Sequence, residues 1–331
     1  MHKMKQIYCM LTERCNLSCP ICIRGTKSND VLSYDEFERY VSPLAQMSDM
    51  LVLTGGEPLC SPFFYDILNL ASSKFKRVSV ATNGTIPIKL EKIRSLKNVV
   101  FQFSLDGDRY THNNIRGAQN YERTLSTINT FEQAKIDYCV STTINKSNKD
   151  YLLGLIGDLR FLSHMTYWKV SNMLPFGNAT FQSVIDAQEW NRLVDYLFTV
   201  TPFKMRISKQ FDFDIYDSIL SNQNCDKCNQ NCGTCKSKFY LSPKLDVFPC
   251  TCMKDLIFGN LKQEGIDEIF SKEEFDKISN YKVKDDSACY NCKYLKLCNG
   301  GCIGMSKNFW GYLGGGDIRC PMVYAKFCNR D

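Results

Sequence analysis

Up to about residue 180 the chain alternates short apolar runs rich in β-branched and aromatic residues with longer stretches whose apolar positions recur every three to four residues. The runs Gln6–Leu11, Met50–Thr54, Arg77–Thr82, Val99–Leu105, Tyr138–Ile144 and Tyr167–Leu174 read as strands. Between them, Ser33-Tyr34-Asp35-Glu36 is a capping box that opens a predicted helix reaching Met47. A second helix is predicted over Tyr121–Ala134, with Leu125, Ile128 and Phe131 on one stripe. Six β-α units in series predict a parallel sheet with helices outside it, as an open barrel or a doubly wound sheet. In either architecture, ligands sit at the carboxyl ends of the strands.

After Pro175-Phe176-Gly177-Asn178 the pattern changes to one helix, Ala187–Val200, and then to a segment of poor periodicity that carries most of the thiols. Of the 18 cysteines, 12 fall between Cys225 and Cys328. The expected organisation is therefore a β/α domain over 1–180, a bridging helical segment over 181–224 and a cysteine-rich domain over 225–331. With 44% apolar and 23% charged residues, the 331-residue chain has an ordinary globular composition. No apolar run reaches the roughly 20 residues of a membrane helix, and no apolar segment of a secretory signal follows Met1. A cytoplasmic protein without membrane partners is expected. The net charge of +6 is not gathered into a basic block, which argues against nucleic acid. In a reducing compartment, many cysteines argue for metal or thiol chemistry, and three scattered histidines leave little for a Cys/His zinc site.

The first thiol group, Cys15-Asn16-Leu17-Ser18-Cys19-Pro20-Ile21-Cys22, directly follows the first strand. Its C-x3-C-x2-C spacing can wrap three thiolates around one face of a cubane and leave the fourth iron open. On this loop the sequence resembles the radical S-adenosylmethionine (SAM) enzymes, and the resemblance continues in order along the first domain. Thr54-Gly55-Gly56-Glu57-Pro58 follows the second strand, Thr82-Asn83-Gly84 the third and Ser104-Leu105-Asp106-Gly107 the fourth; His112, Arg116 and Gly117 and then Leu174-Pro175-Phe176-Gly177 come after. The resemblance implies a partial (β/α)6 TIM-like barrel with a SAM site formed by Gly55, Gly56, Glu57, Pro58, Thr82, Asn83, Gly84, Ser104, Asp106, Arg116 and Leu174. It implies that Glu57 receives the ammonium of SAM and that glycines admit the cofactor closely. One electron, from an external reductant, would cleave the sulfonium and give a radical that abstracts a substrate hydrogen. Ile21 stands where the family usually has an aromatic residue, which weakens adenine packing without removing a ligand.

The second group, Cys289-x2-Cys292-x5-Cys298-x3-Cys302 followed by Cys320, with Cys235 and Cys250 upstream, resembles the SPASM extension of these enzymes. This is a small α+β domain that holds two auxiliary [4Fe–4S] clusters, giving three in all. The resemblance assigns Cys289, Cys292, Cys298 and Cys320 to the farther cluster and Cys235, Cys250 and Cys302 to the nearer. Cys225, Cys228 and Cys232 compete for its fourth position, and Cys228 is preferred. Leu245 stands at a glycine position of the pattern, so the turn there is expected to be altered. On spacing, Cys225-x2-Cys228 and Cys232-x2-Cys235 also suit zinc ribbons, and a zinc-stabilised binding protein is the alternative from another class.

Seven thiols are left over. Cys9 and Cys139 read as buried apolar groups, whereas Cys60 and Cys252, beside the expected SAM pocket and nearer cluster, are candidate hydrogen donors. His164 shows no partner, and Gly314-Gly315-Gly316 reads as a flexible loop. Relatives of this type mature peptides or oxidise small alcohols and sugars. Thr251, where sulfatase maturases carry an Asp base, disfavours that activity. The expected substrate is a peptide, with a carbohydrate or aminoglycoside-like molecule as the alternative. No leader-recognition domain precedes the first strand, so a separate recognition protein or direct peptide binding is expected.

Overall fold

The computed structural model describes residues 3–25, 27–221 and 232–328. Ten strands form one sheet: β1 (Gln6–Thr12), β2 (Met50–Gly55), β3 (Arg77–Thr82), β4 (Val99–Ser104), β5 (Tyr138–Ile144), β6 (Met165–Asn172), β7 (Met205–Arg206), β8 (Lys238–Leu241), β9 (Asp246–Phe248) and β10 (Gly259–Asn260). Their order is β10-β9-β8-β1-β2-β3-β4-β5-β6-β7. From β8 through β7 all neighbours are parallel, while β9 and β10 are antiparallel additions. The six expected strands are present in sequence order. The C-terminal region does not stand apart from them, because β8 pairs with β1 through Gln6↔Lys238 and Tyr8↔Tyr240.

Alternation along the strands sorts the two faces. Ile7, Cys9, Leu11, Leu51, Leu53, Val78, Val80, Phe101, Phe103 and Val140 point to the core, under helices that contribute Ile67, Leu68, Ile128, Phe131 and Leu155. Phe103 meets Phe131 and Tyr138 edge-on at 5.0 and 5.6 Å between centroids. The positions between them, among them Tyr8, Thr54, Ser79, Gln102, Ser141, Thr143 and Lys169, are only half-buried and line the opposite face. Lys169 on β6 feels the charge of Lys238 on β8, although five strands stand between them in the sheet order. The sheet therefore curls until its two ends face one another across this polar interior.

Two local expectations change. The capping box at Ser33 is formed, but the α-helix covers only Tyr34–Glu36 and passes into a π-turn over Phe37–Val41 and a 3-10 turn over Ser42–Gln46. Pro43 lies in this stretch, lacks an N–H and cannot continue an i→i−4 ladder. The last expected strand runs Met165–Asn172, so Leu174 lies beyond it. No helix among the described residues is long and apolar enough to cross a membrane.

Candidate active site

The loop carrying Cys15, Cys19 and Cys22 leaves the carboxyl end of β1, and three further strand-end loops hold it. From β2, Gly56 N donates to Thr12 O and Glu57 N to Arg14 O, both at 2.8 Å. From β3, Asn83 Nδ2 donates to Asn16 Oδ1 at 3.0 Å, and Asn16 Nδ2 donates to Thr85 Oγ1 at 2.8 Å. After β6, Asn178 N donates to Cys22 O at 2.9 Å and its side chain to Cys19 O at 3.1 Å. The glycines serve this contact. A Cβ on Gly56 would lie 2.3 Å from Arg14 O, and one on Gly177, where φ is +67°, would lie 2.3 Å from Cys22 O. Their close approach here is to the backbone of the cysteine loop.

The three thiols interact with one another, and Arg116 faces Cys19 and Cys15. Arg116 Nε donates to Asp106 at 2.5 Å. Asp106 is fully buried; it also accepts from Thr143 N at 2.8 Å, and its own N–H donates to His112 Nδ1 at 3.1 Å. Asp106 is thus a hub that aims the Arg116 charge at the thiols. Glu57, 1% exposed, accepts from Thr82 Oγ1 and Asn83 N at 2.7 Å and from Leu59 N at 3.2 Å. Three donors leave its two oxygens with one accepting direction to spare, and burial pushes its pKa up to about 7. Ser104 Oγ donates to Thr82 O at 3.2 Å, Gly84 is packed against Phe103 and Thr124, Pro58 is buried in the turn after Glu57, and Leu174 packs against the buried cluster of Cys289, Met305, Ile318, Cys320 and Val323. Cys60 is half-buried beside Cys15 and Glu57.

His112 takes its place from the same hub. Its Nδ1 accepts from Asp106 N, so Nε2 carries the proton, and that atom is buried without a partner among the described residues. Burial lowers its pKa from 6.5 to about 4, against the opposing pull of Asp106. The folded chain then binds fewer protons than the unfolded chain between these values. The stabilisation is full above pH 6.5 and is lost as pH falls towards 4, by about 2 kcal/mol at pH 5. The variant His112→Asn should flatten the fall in apparent Tm between pH 7 and pH 5; an unchanged slope would show that another group causes it.

Two further thiol groups lie in the C-terminal region. Cys289 interacts with Cys320, Cys298 and Cys292, and all four line one cavity with Tyr294 and Val323. The glycine run is no flexible loop. Gly314, Gly315 and Gly316 are buried; a Cβ on Gly316 would lie 2.6 Å from Cys289 Sγ, and Trp310 Nε1 donates to Gly316 O at 2.8 Å. In the other group, Cys250 interacts with Cys235, Cys252 and Cys302. Leu245 adopts the left-handed conformation, φ +72°, fully buried, and so keeps the turn that a glycine would make there. Cys225 and the preferred ligand Cys228 lie outside the described residues. Among the described residues no three His, Cys, Asp or Glu side chains converge on a single metal ion; a cubane spreads its thiolates over four irons.

Some residues of the site were missed in the sequence. Arg24, two residues past Cys22, donates to Met10 Sδ at 2.7 Å and accepts on its carbonyl from Lys254 Nζ at 2.7 Å, tying the cysteine loop to the C-terminal region. Tyr8 and Tyr240 stack at 4.3 Å, and Lys169 and Lys238 add charge to the same interior. His164, expected to lack a partner, has its Nδ1 3.3 Å from Asp137. Cys139, fully buried, is hydrogen-bonded to Tyr167.

Residues 10–156 match the radical SAM superfamily, and residues 232–293 match SPASM, an iron–sulfur cluster-binding domain. The chain is a radical SAM enzyme with a SPASM domain. Iron–sulfur clusters and SAM binding come with that membership, and the zinc-protein alternative falls. The chain is 26% identical over 312 residues to the AdoMet-dependent heme synthase of Methanosarcina barkeri, covering 88% of each. It is 25% identical over 324 residues to the cysteine-type anaerobic sulfatase-maturating enzyme of Clostridium perfringens, covering 87% of this chain and 85% of that one. Its fold is that of Streptococcus suis SuiB solved with the precursor peptide SuiA: TM-score 0.82, 16% identity, covering 98% of this chain and 76% of that chain. The residues present fit a radical SAM enzyme's groups: a loop of three thiols with no fourth, held over the strand ends, an adjoining guanidinium, and a buried carboxylate with one accepting direction free.

Proposed function

We propose that this enzyme cleaves SAM reductively and abstracts a hydrogen from a peptide, using three [4Fe–4S] clusters. Cys15, Cys19 and Cys22 would hold the first cluster, which when loaded with SAM supplies the hydrogen-abstracting radical. Cys289, Cys292, Cys298 and Cys320 would hold the farther auxiliary cluster, and Cys235, Cys250 and Cys302 would belong to the nearer. Glu57 offers its remaining lone pair to an ammonium and Arg116 its free N–H groups to a carboxylate. The curled sheet encloses the interior between the first thiol loop and the Cys250 group and limits water there. Cys60 is placed to give a hydrogen atom to a substrate held near Cys15. An external one-electron reductant would complete turnover, with a separate recognition protein where the peptide carries a leader.

The observation that carries this reading is the shared sheet. Pairing of β8 with β1 sets Tyr240, which interacts with Cys250 and Cys252, against Tyr8 and near Arg24 of the first thiol loop, and this supports a shared interior. The SuiB complex with SuiA supports a peptide as occupant. The heme synthase relative supports a second reading, a small molecule, and the half-buried ammonium of Lys169 would suit an anionic one. The sugar-like substrate considered from the sequence has no such support.

Anaerobically purified enzyme should contain about 12 iron and 12 sulfide per chain. With reductant, SAM and a deuterated candidate peptide, deuterium should appear in the 5′-deoxyadenosine released. Label transfer from a porphyrin substrate instead, with none from peptide, would decide for the second reading.

A further inference from the structure

The nearer auxiliary cluster has three thiols from the family pattern and lacks a settled fourth. Cys252, two residues after Cys250, lies in a 3-10 turn over Thr251–Met253 that doubles the chain back, with Met253 N donating to Cys250 O at 2.9 Å. This turn brings the Cys252 thiol to the same place as its neighbour's. It is hydrogen-bonded to both Cys250 and Cys302. Cys302 comes from the other side, as the N-cap of the helix Ile303–Trp310, and Cys235 closes on Cys250 from the start of β8.

The surroundings hold Cys252 there. A Cβ on Gly304 would lie 2.6 Å from Cys252 Cβ, so only glycine at the second turn position of that helix admits it. Asn308 Nδ2 donates to Cys252 O at 2.8 Å and to Gly304 O at 2.8 Å, stapling the turn to the helix. Arg319 lies close to both Cys252 and Cys302, with its guanidinium held by the buried Asp317, whose carboxylate also accepts from Cys302 N at 3.0 Å. Cys232 is exposed and its sulfur lies 3.2 Å from Thr234 Oγ1.

We propose that Cys252 is the fourth ligand of the nearer auxiliary cluster, completing a closed Cys235, Cys250, Cys252, Cys302 set. This rests on the SPASM cluster reading above and replaces both the upstream ligand and the hydrogen-donor role considered for Cys252. Each thiol loses its proton on binding iron, so the set loads as four thiolates on four irons. Cys225 and Cys228 are then free of this cluster.

The test uses the full chain, purified anaerobically, in a Cys15→Ala/Cys19→Ala/Cys22→Ala background that leaves about 8 iron per chain. Adding Cys252→Ala should lower iron to about 7, with a three-iron EPR signal, or to about 4 where the cluster is lost. Cys225→Ala/Cys228→Ala and Cys232→Ala should leave iron and spectra unchanged. Cys252→Ser, close in size and able to fold alike, should shift the EPR g-values of the nearer cluster and leave the farther one untouched. Unchanged iron in Cys252→Ala, or unchanged g-values in Cys252→Ser, would overturn the proposal. If Cys250→Ala also left both auxiliary clusters intact, the underlying cluster reading would fall with it, and the two failures are told apart by that variant.

Discussion

Replacing Cys15, Cys19 and Cys22 together by alanine should reduce SAM cleavage to background, a loss of at least about 10³-fold, while the auxiliary-cluster absorbance persists. The physical ground is that all three thiols lie on one loop, with Arg116 facing Cys15 and Cys19 and Glu57 facing Cys15. Iron should fall from about 12 to about 8 per chain, not to zero. The persistence is as informative as the loss, because the Cys289 group is bounded by its own packing of Trp310, Val323 and Gly316 and does not use the first loop. Release of 5′-deoxyadenosine at the parent rate would refute the assignment, and loss of all iron would show that the loop supports the whole fold.

How much of this was legible in the sequence follows from the range of each signal. Strands β1 to β6 were legible because their alternation extends over six to eight residues, and each thiol group because its spacing is local. Strands β7 and β10 have two residues each, too few for a period to register, and exist because a neighbouring strand offers them hydrogen bonds. The Ser33 cap was readable and the broken helix beyond it was not, since Pro43 sets the pitch through a missing donor, whereas apolar spacing reports only a face. Lys169 and Lys238 are far apart along the chain and feel one another only because the sheet curls. Cys252 shows the reverse case. Its sequence neighbour Cys250 was assigned from the family pattern, and the turn that brings both sulfurs together is set by Gly304 and Asn308, more than fifty residues later.

The glycines after β2 carry the second large effect. In Gly56→Ala the new methyl would lie 2.3 Å from Arg14 O and 2.6 Å from Glu13 O. Both are backbone atoms, so no side-chain rotation relieves the contact. The strand end or the cysteine loop must move, breaking the 2.8 Å bonds from Gly56 N to Thr12 O and from Glu57 N to Arg14 O. Losing two such bonds costs about 1–3 kcal/mol, a tolerable loss for the fold, but the displacement falls on the loop that must hold three thiolates around one cluster. Gly56→Ala should therefore lower SAM cleavage at least about 100-fold and bring iron towards about 8 per chain, with auxiliary spectra unchanged. Gly157→Ala provides the contrast: a Cβ there meets nothing within 4 Å inside the helix Leu152–Leu159, so this change should stabilise by about 0.4–1 kcal/mol and leave iron at its full value. If Gly56→Ala retained full iron and cleavage, the β2 loop would not position the thiols, and the close approach would be a matter of packing.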